Sequence, residues 1–117
     1  MTWAEKIEAV AGDETIEGVC IGDGAHDDEN RGSIRGWTND DERDIEPKYI
    51  HKLMHWKDAR PLLDYEFDSG YGGTDCHPIY AWTFSKVIVC AVYDGATWVQ
   101  SVPRNPCSNA PCFIGGQ

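Results

Sequence analysis

Apolar positions along the chain follow three patterns, and each predicts a different element. From Thr2 to Ala11 the spacing is helical. Trp3, Ile7 and Val10 share one face, Thr2 and Glu5 stand at capping-box spacing, and Gly12 supplies a left-handed stop. Thr15 to Ile21 then reads as a strand carrying Ile16, Val19 and Ile21, with Gly18 at a bulge. From Gly22 to Glu46 the periodicity disappears. Glycines alternate with acids, only Ile34, Trp37 and Ile45 are large and apolar, and 22–46 is expected to be a long acidic loop.

Pattern returns at Pro47. Lys48 to Trp56 places Tyr49, Leu53 and Trp56 on one side of a helix, with Pro47 in its first turn. Pro61 should break any longer helix, which predicts a second short one near 61–64. Residues 64–68 alternate strictly, so they read equally well as a strand with Leu63, Tyr65 and Phe67 inward. Residues 69–78, with three glycines and a proline, form a second loop.

The period-two signal is clearest at the end. Ile79–Phe84, Val87–Tyr93 and Ala96–Val102 are strand-like runs separated by Ser85-Lys86 and by Asp94-Gly95, a type I′ hairpin signal. These turns set Tyr93 opposite Ala96, Ala91 opposite Trp98, Phe84 opposite Val87 and Trp82 opposite Val89. One face then carries Tyr80, Trp82, Phe84, Val87, Val89, Ala91, Tyr93, Trp98 and Val102, and is expected to be the core face beneath the N-terminal helix. The other carries Ile79, Ala81, Thr83, Ile88, Cys90, Val92, Thr97 and Val99, and calls for a cover from residues 47–68. Residues 103–117, rich in Pro, Asn and Gly, make an irregular tail.

The expected fold is therefore α+β in one domain, 1–117. A three-stranded antiparallel meander at 79–102 and an N-terminal strand form a small sheet. It packs with one N-terminal helix and one or two short helices in 48–66. With 117 residues, 41% of them apolar, the chain is of ordinary single-core size.

Charge changes the picture more than composition does. The net charge is −10, with 18 acids and 8 bases in residues 1–68 and two of each in 69–117. Segment 13–46 holds 12 acids against 3 bases. Such a surface repels nucleic-acid phosphates and anionic lipid, which argues against direct binding to either. The N-terminal residues lack the basic-then-apolar order of a secretion signal, and no apolar run is long enough to span a bilayer. Five cysteines, at 20, 76, 90, 107 and 112, is an odd number, which favours reduced thiols and a cytoplasmic setting.

Tests for specific chemistry mostly fail. Calcium loops begun at Asp23 or Asp27 put Asp28 at the glycine position or Thr38 where a bidentate glutamate belongs. His51 and His55 have helical spacing, but Lys52 stands where a zinc hydrolase needs glutamate. Cys107 and Cys112 resemble half a zinc site without an identifiable second half. Asp75-Cys76-His77 juxtaposes a thiol and a base, but neighbours on an extended chain point to opposite faces. Gly70-Tyr71-Gly72-Gly73 lacks the lysine and helix of a phosphate loop, and no cofactor is expected.

What remains is a carboxylate rail: Asp23, Asp27, Asp28, Glu29, Asp40, Asp41, Glu42, Asp44 and Glu46. Asp64, Glu66 and Asp68 extend it at about 6.6 Å spacing if 64–68 is a strand. The expectation is a non-enzymatic binding or inhibitor protein for a basic partner, such as a nucleic-acid-binding protein or nuclease. By class, phage anti-defence proteins such as anti-CRISPR inhibitors and toxin-immunity proteins fit this description. The alternatives are a small enzyme or ligand-binding domain using Tyr71, Asp75, Cys76, His77 and Arg104 between the sheet and loop 69–78, or a zinc-stabilised module.

Overall fold

The computed structural model describes residues 1–23, 45–67, 76–93 and 96–115. Helix α1 spans Trp3–Ala11 and starts with the expected reciprocal cap. Thr2 Oγ1 accepts from the Glu5 amide, and the Glu5 carboxylate accepts from the Thr2 amide. Gly12 ends the helix at φ +66°, a conformation a side chain would strain. Strands β1 (Gly18–Ile21), β2 (Ile79–Trp82), β3 (Lys86–Tyr93) and β4 (Ala96–Pro103) form an antiparallel sheet in the order β1-β2-β3-β4. β1 is shorter than 15–21, and Gly18 pairs within the ladder opposite Trp82 instead of forming a bulge.

The β3–β4 hairpin has the expected register, Tyr93 opposite Ala96 and Ala91 opposite Trp98. The β2–β3 turn does not. Its two turn residues are Phe84 and Ser85, so Trp82 opposes Val87 and Tyr80 opposes Val89. Glu14 accounts for the shift. Its carboxylate accepts from Thr83 Oγ1 at 2.5 Å, from Ser85 N at 3.0 Å and from Ser85 Oγ at 2.5 Å, clamping the turn around Ser85. Lys86 is then a strand residue whose Nζ donates to the Val10 and Ala11 carbonyls, both at 3.2 Å, capping the end of α1.

The two faces of the sheet are the reverse of the expectation. Ile79, Ala81, Thr83, Ile88 and Thr97 are buried, with Cys90 and Val99 packed beside them, whereas Tyr80 is 58% exposed, Tyr93 53% and Phe84 76%. The reason is steric. α1 lies across β3 and β4 and brings Trp3 and Ile7, both wholly buried, against the sheet. Small residues such as Ala81, Thr83, Cys90 and Thr97 leave room for that approach. The aromatic face stays outward, and of its side chains on β2, β3 and β4 only the small Ala91 is buried.

Residues 47–67 do cover the inner face, but by a different path. A single 3₁₀ turn, Pro47–Tyr49, replaces the start of the expected helix. The chain then runs along the free edge of β1: the His51 amide donates to the Ile21 carbonyl, and Met54 exchanges both backbone bonds with Val19. Those edge bonds win over the helical pattern of Tyr49, Leu53 and Trp56. Helix α2 comes later, Trp56–Leu63, and contains Pro61. The proline lies on the exposed side, where the Lys57 carbonyl left without an amide faces water. After Leu63 the chain is extended. Glu66 bridges to Thr2, the Trp3 amide donates to the Tyr65 carbonyl, and Phe67 meets the Trp3 ring edge-on at 4.7 Å. Among the described residues no helix is long and apolar enough to cross a membrane.

Candidate functional site

The register fixes which residues share an end of the sheet. Ile21 closes β1, Ile79 opens β2, Tyr93 closes β3 and Ala96 opens β4, and antiparallel pairing puts all four at one end. Two further contacts gather the neighbouring chain there. The Gly22 amide donates to the Pro78 carbonyl, and the Tyr65 hydroxyl meets His77. The described residues flanking 24–44, 68–75 and 94–95 therefore all lie at or beside this end. Those three stretches hold ten acids against three bases.

Of the expected rail residues, Asp23, Glu46, Asp64 and Glu66 are described. Asp27, Asp28, Glu29, Asp40, Asp41, Glu42, Asp44 and Asp68 lie outside the described residues. Asp23 Oδ2 is 3.8 Å from His51 Nε2, tying the exit of β1 to the returning chain. Ile45, buried at 3% exposure, anchors that return, and Glu46 beside it pairs with Lys48 at 3.5 Å. The Glu46 charge raises the Lys48 pKa. Asp64 accepts from Thr2 Oγ1 at 2.7 Å and lies 3.3 Å from Arg60, and Glu66 lies 3.8 Å from the N-terminal ammonium. Asp64 and Glu66 are exposed while Tyr65 and Phe67 turn inward, so the alternation of 64–67 is strand-like up to the last described residue.

The described residues of the enzyme alternative, Cys76, His77 and Arg104, do not converge. Tyr71 and Asp75 lie outside the described residues, and Cys76 and His77 are wholly buried. His77 is held in the core by three bonds. Its carbonyl accepts from Trp3 Nε1, its amide donates to the Tyr65 hydroxyl, and its Nδ1 meets the same hydroxyl, each at 2.8 Å. Arg104 stands beyond the other end of β2, roughly 20 Å along the strand from His77. There it donates to Glu17 Oε1 and to the Thr83 carbonyl, both at 2.7 Å. Asn105 caps the Phe84 carbonyl at 3.4 Å, so this polar corner closes a turn.

The other candidates separate as well. His51 has φ +60° in the edge segment and His55 precedes α2, so they share no helix face. All five cysteines are free thiols, with Cys107 and Cys112 exposed. Gln100 Nε2 lies 3.5 Å from Cys112 Sγ. A hydrogen bond from Cys76 lowers the Cys90 thiol pKa against the opposing effect of burial. Among the described residues no three His, Cys, Asp or Glu side chains come together as a metal site.

Two features escaped the sequence. A groove of about 900 Å³ runs between the edge segment, α2 and Arg104, walled by Tyr49, Leu53, Leu62 and Trp82 with Lys52, His55 and Asp58 at its rim. Its residues come from five separate stretches, so no spacing could announce it. The second is Glu8, whose carboxylate accepts from Arg60 Nε at 2.9 Å, Arg60 Nη2 at 3.0 Å and Trp56 Nε1 at 3.2 Å, joining α1 to α2. The Arg60 hydrogen bonds lower the Glu8 pKa. No family model, no curated sequence and no solved structure matches the chain.

Proposed function

We propose that this is a non-enzymatic acidic binding or inhibitor protein, engaging a basic, nucleic-acid-handling protein through carboxylates at one end of its sheet. The observation that carries the reading is positional. Every stretch in the acid-rich set 24–44, 68–75 and 94–95 is flanked by residues at the same end, while at the opposite one Lys86 and Arg104 stand among Glu14 and Glu17 and nearly balance them. Charge segregated in this way steers encounter with a positive surface and suppresses the wrong partners. An immunity-type or phage anti-defence role, including inhibition of a CRISPR effector, is the class of biology this chemistry serves.

The test is affinity capture from host extract at about 0.05 M and about 0.5 M salt, which changes the screening length several-fold. The expected result is a basic, nucleic-acid-binding protein retained at low salt and released at high salt. The triple variant Asp40→Lys, Asp41→Lys, Asp44→Lys should lose it while keeping the wild-type circular dichroism. Undiminished capture by that variant, or a partner that is itself acidic, would overturn the proposal.

A further inference from the structure

The sheet has two edges, and among the described residues only one is covered. Residues 50–54 lie along β1 through the Ile50–Ile21 and Met54–Val19 bridges. β4 is the other edge, eight residues long and paired on one side only. In its register with β3, Ala96, Trp98, Gln100 and Val102 turn their backbone groups inward to the hairpin, so Thr97, Val99 and Ser101 turn theirs outward. Among the described residues no backbone bond engages the outward amide and carbonyl of Val99 or Ser101, and residues 105–115 send none to this edge.

Strand edges in isolated proteins are usually blunted by charge, proline or a bulge. Residues 96–102 contain no charged residue, no glycine and no proline, and the ladder with β3 is unbroken from Lys86–Pro103 to Tyr93–Ala96. Proline first appears at 103, the next outward position, where a ladder would end.

We propose that β4 pairs antiparallel with β4 of a second copy of this chain, making one continuous eight-stranded sheet. The strand is complementary to itself about Val99. Val99 would face Val99 of the second copy, Thr97 would lie beside Ser101, Ala96 beside Val102 and Trp98 beside Gln100. No like charges are opposed at any position. Charge also selects this edge over the rest of the surface. Two chains of net charge −10 repel, and residues 69–117, which include β4, are the neutral part of the sequence. The two-fold axis reverses the strand direction, so the two acidic sheet ends fall at opposite corners. They are separated by about one strand length, roughly 26 Å, well beyond the screening length of about 8 Å at physiological salt.

Sedimentation equilibrium from about 1 to about 100 μM, near the range of ordinary interface affinities, tests the pairing. The expected result is a species of twice 13.1 kDa. Ser101→Pro removes an outward amide and spares every β3–β4 bond, so it should be monomeric at all concentrations with unchanged circular dichroism. Amide hydrogen exchange needs no variant. The Val99 and Ser101 amides should become at least tenfold slower as wild-type concentration rises through the dimerisation range. A wild type that stays monomeric overturns the proposal, as does a dimer whose Val99 and Ser101 amides exchange at the monomer rate.

Discussion

Ile88 and Val89 are neighbours on β3, both β-branched, and they point to opposite faces of the sheet. Ile88 is wholly buried against α1 and the inner layer, while Val89 lies half-buried on the aromatic face. Replacing either with alanine removes a similar β-propensity, so that contribution cancels in the comparison. Ile88→Ala empties a site that α1 cannot easily fill, at a cost of about 3–4 kcal/mol. Val89→Ala removes two methyl groups that are only partly withdrawn from water, for about 1 kcal/mol. Total stability for a chain of this size is on the order of 6–18 kcal/mol, so both variants should remain folded. Urea unfolding followed by tryptophan fluorescence gives the difference, provided the slope with denaturant is unchanged. A gap of about 2 kcal/mol or more is expected. Equal costs, or a larger one for Val89, would mean that the aromatic face is the true core and that α1 packs on that side of the sheet.

Trp3→Phe removes the indole donor to the His77 carbonyl and leaves space in the core, so it should cost about 2–4 kcal/mol in the same assay. Trp98→Phe, on the half-buried outer face, should cost less than about 1 kcal/mol. The Glu14 pKa is lowered from 4.5 to about 2, first by the Ser85 hydroxyl and then by the Thr83 hydroxyl and the Ser85 amide. A carboxylate with a depressed folded pKa contributes stability above its unfolded pKa and loses it as pH falls through the folded one. The wild type should therefore lose stability progressively between about pH 4.5 and pH 2. Glu14→Gln should flatten that part of an acid titration of thermal unfolding, and an unchanged acid limb would remove Glu14 from the account.

Local chemistry was legible where a few adjacent residues decide the outcome. The capping box at Thr2 and Glu5, the Gly12 stop and the β3–β4 register that sets Tyr93 opposite Ala96 all act over a handful of positions, and each appears as expected. The identity of the buried face was not legible, because alternation divides β3 into two apolar sets without saying which meets the helix. That choice depends on Trp3 and Ile7, some eighty residues away, needing a flat bed of small side chains. The same holds for residues 50–54, whose helical pattern yields to backbone bonds with β1, and for the β2–β3 turn, which Glu14 draws back to Phe84-Ser85. For the proposed site, the sequence names the carboxylates but not their neighbours in space. It took the strand register to place the flanks of 68–75 and 94–95 beside those of 24–44, bringing Asp75 and Asp94 into the same set.

The first fourteen residues find nearly all their partners late in the chain. Thr2 bonds Asp64, the Trp3 indole bonds His77, the ends of α1 and Lys86 meet, and Glu14 holds Ser85. A nine-residue helix is marginal in water by itself. Joining Trp3 to His77 closes a loop whose entropy cost is about 4 kcal/mol. During synthesis α1 is thus made well before its bed: α2 can meet it through Glu8 and Arg60, but the sheet face that buries Trp3 and Ile7 is absent until β3 and β4 have left the ribosome. Such an order predicts folding in one late step governed by distant contacts. It also means that chains stopped before β3 should remain unfolded, however good their local helix signals are.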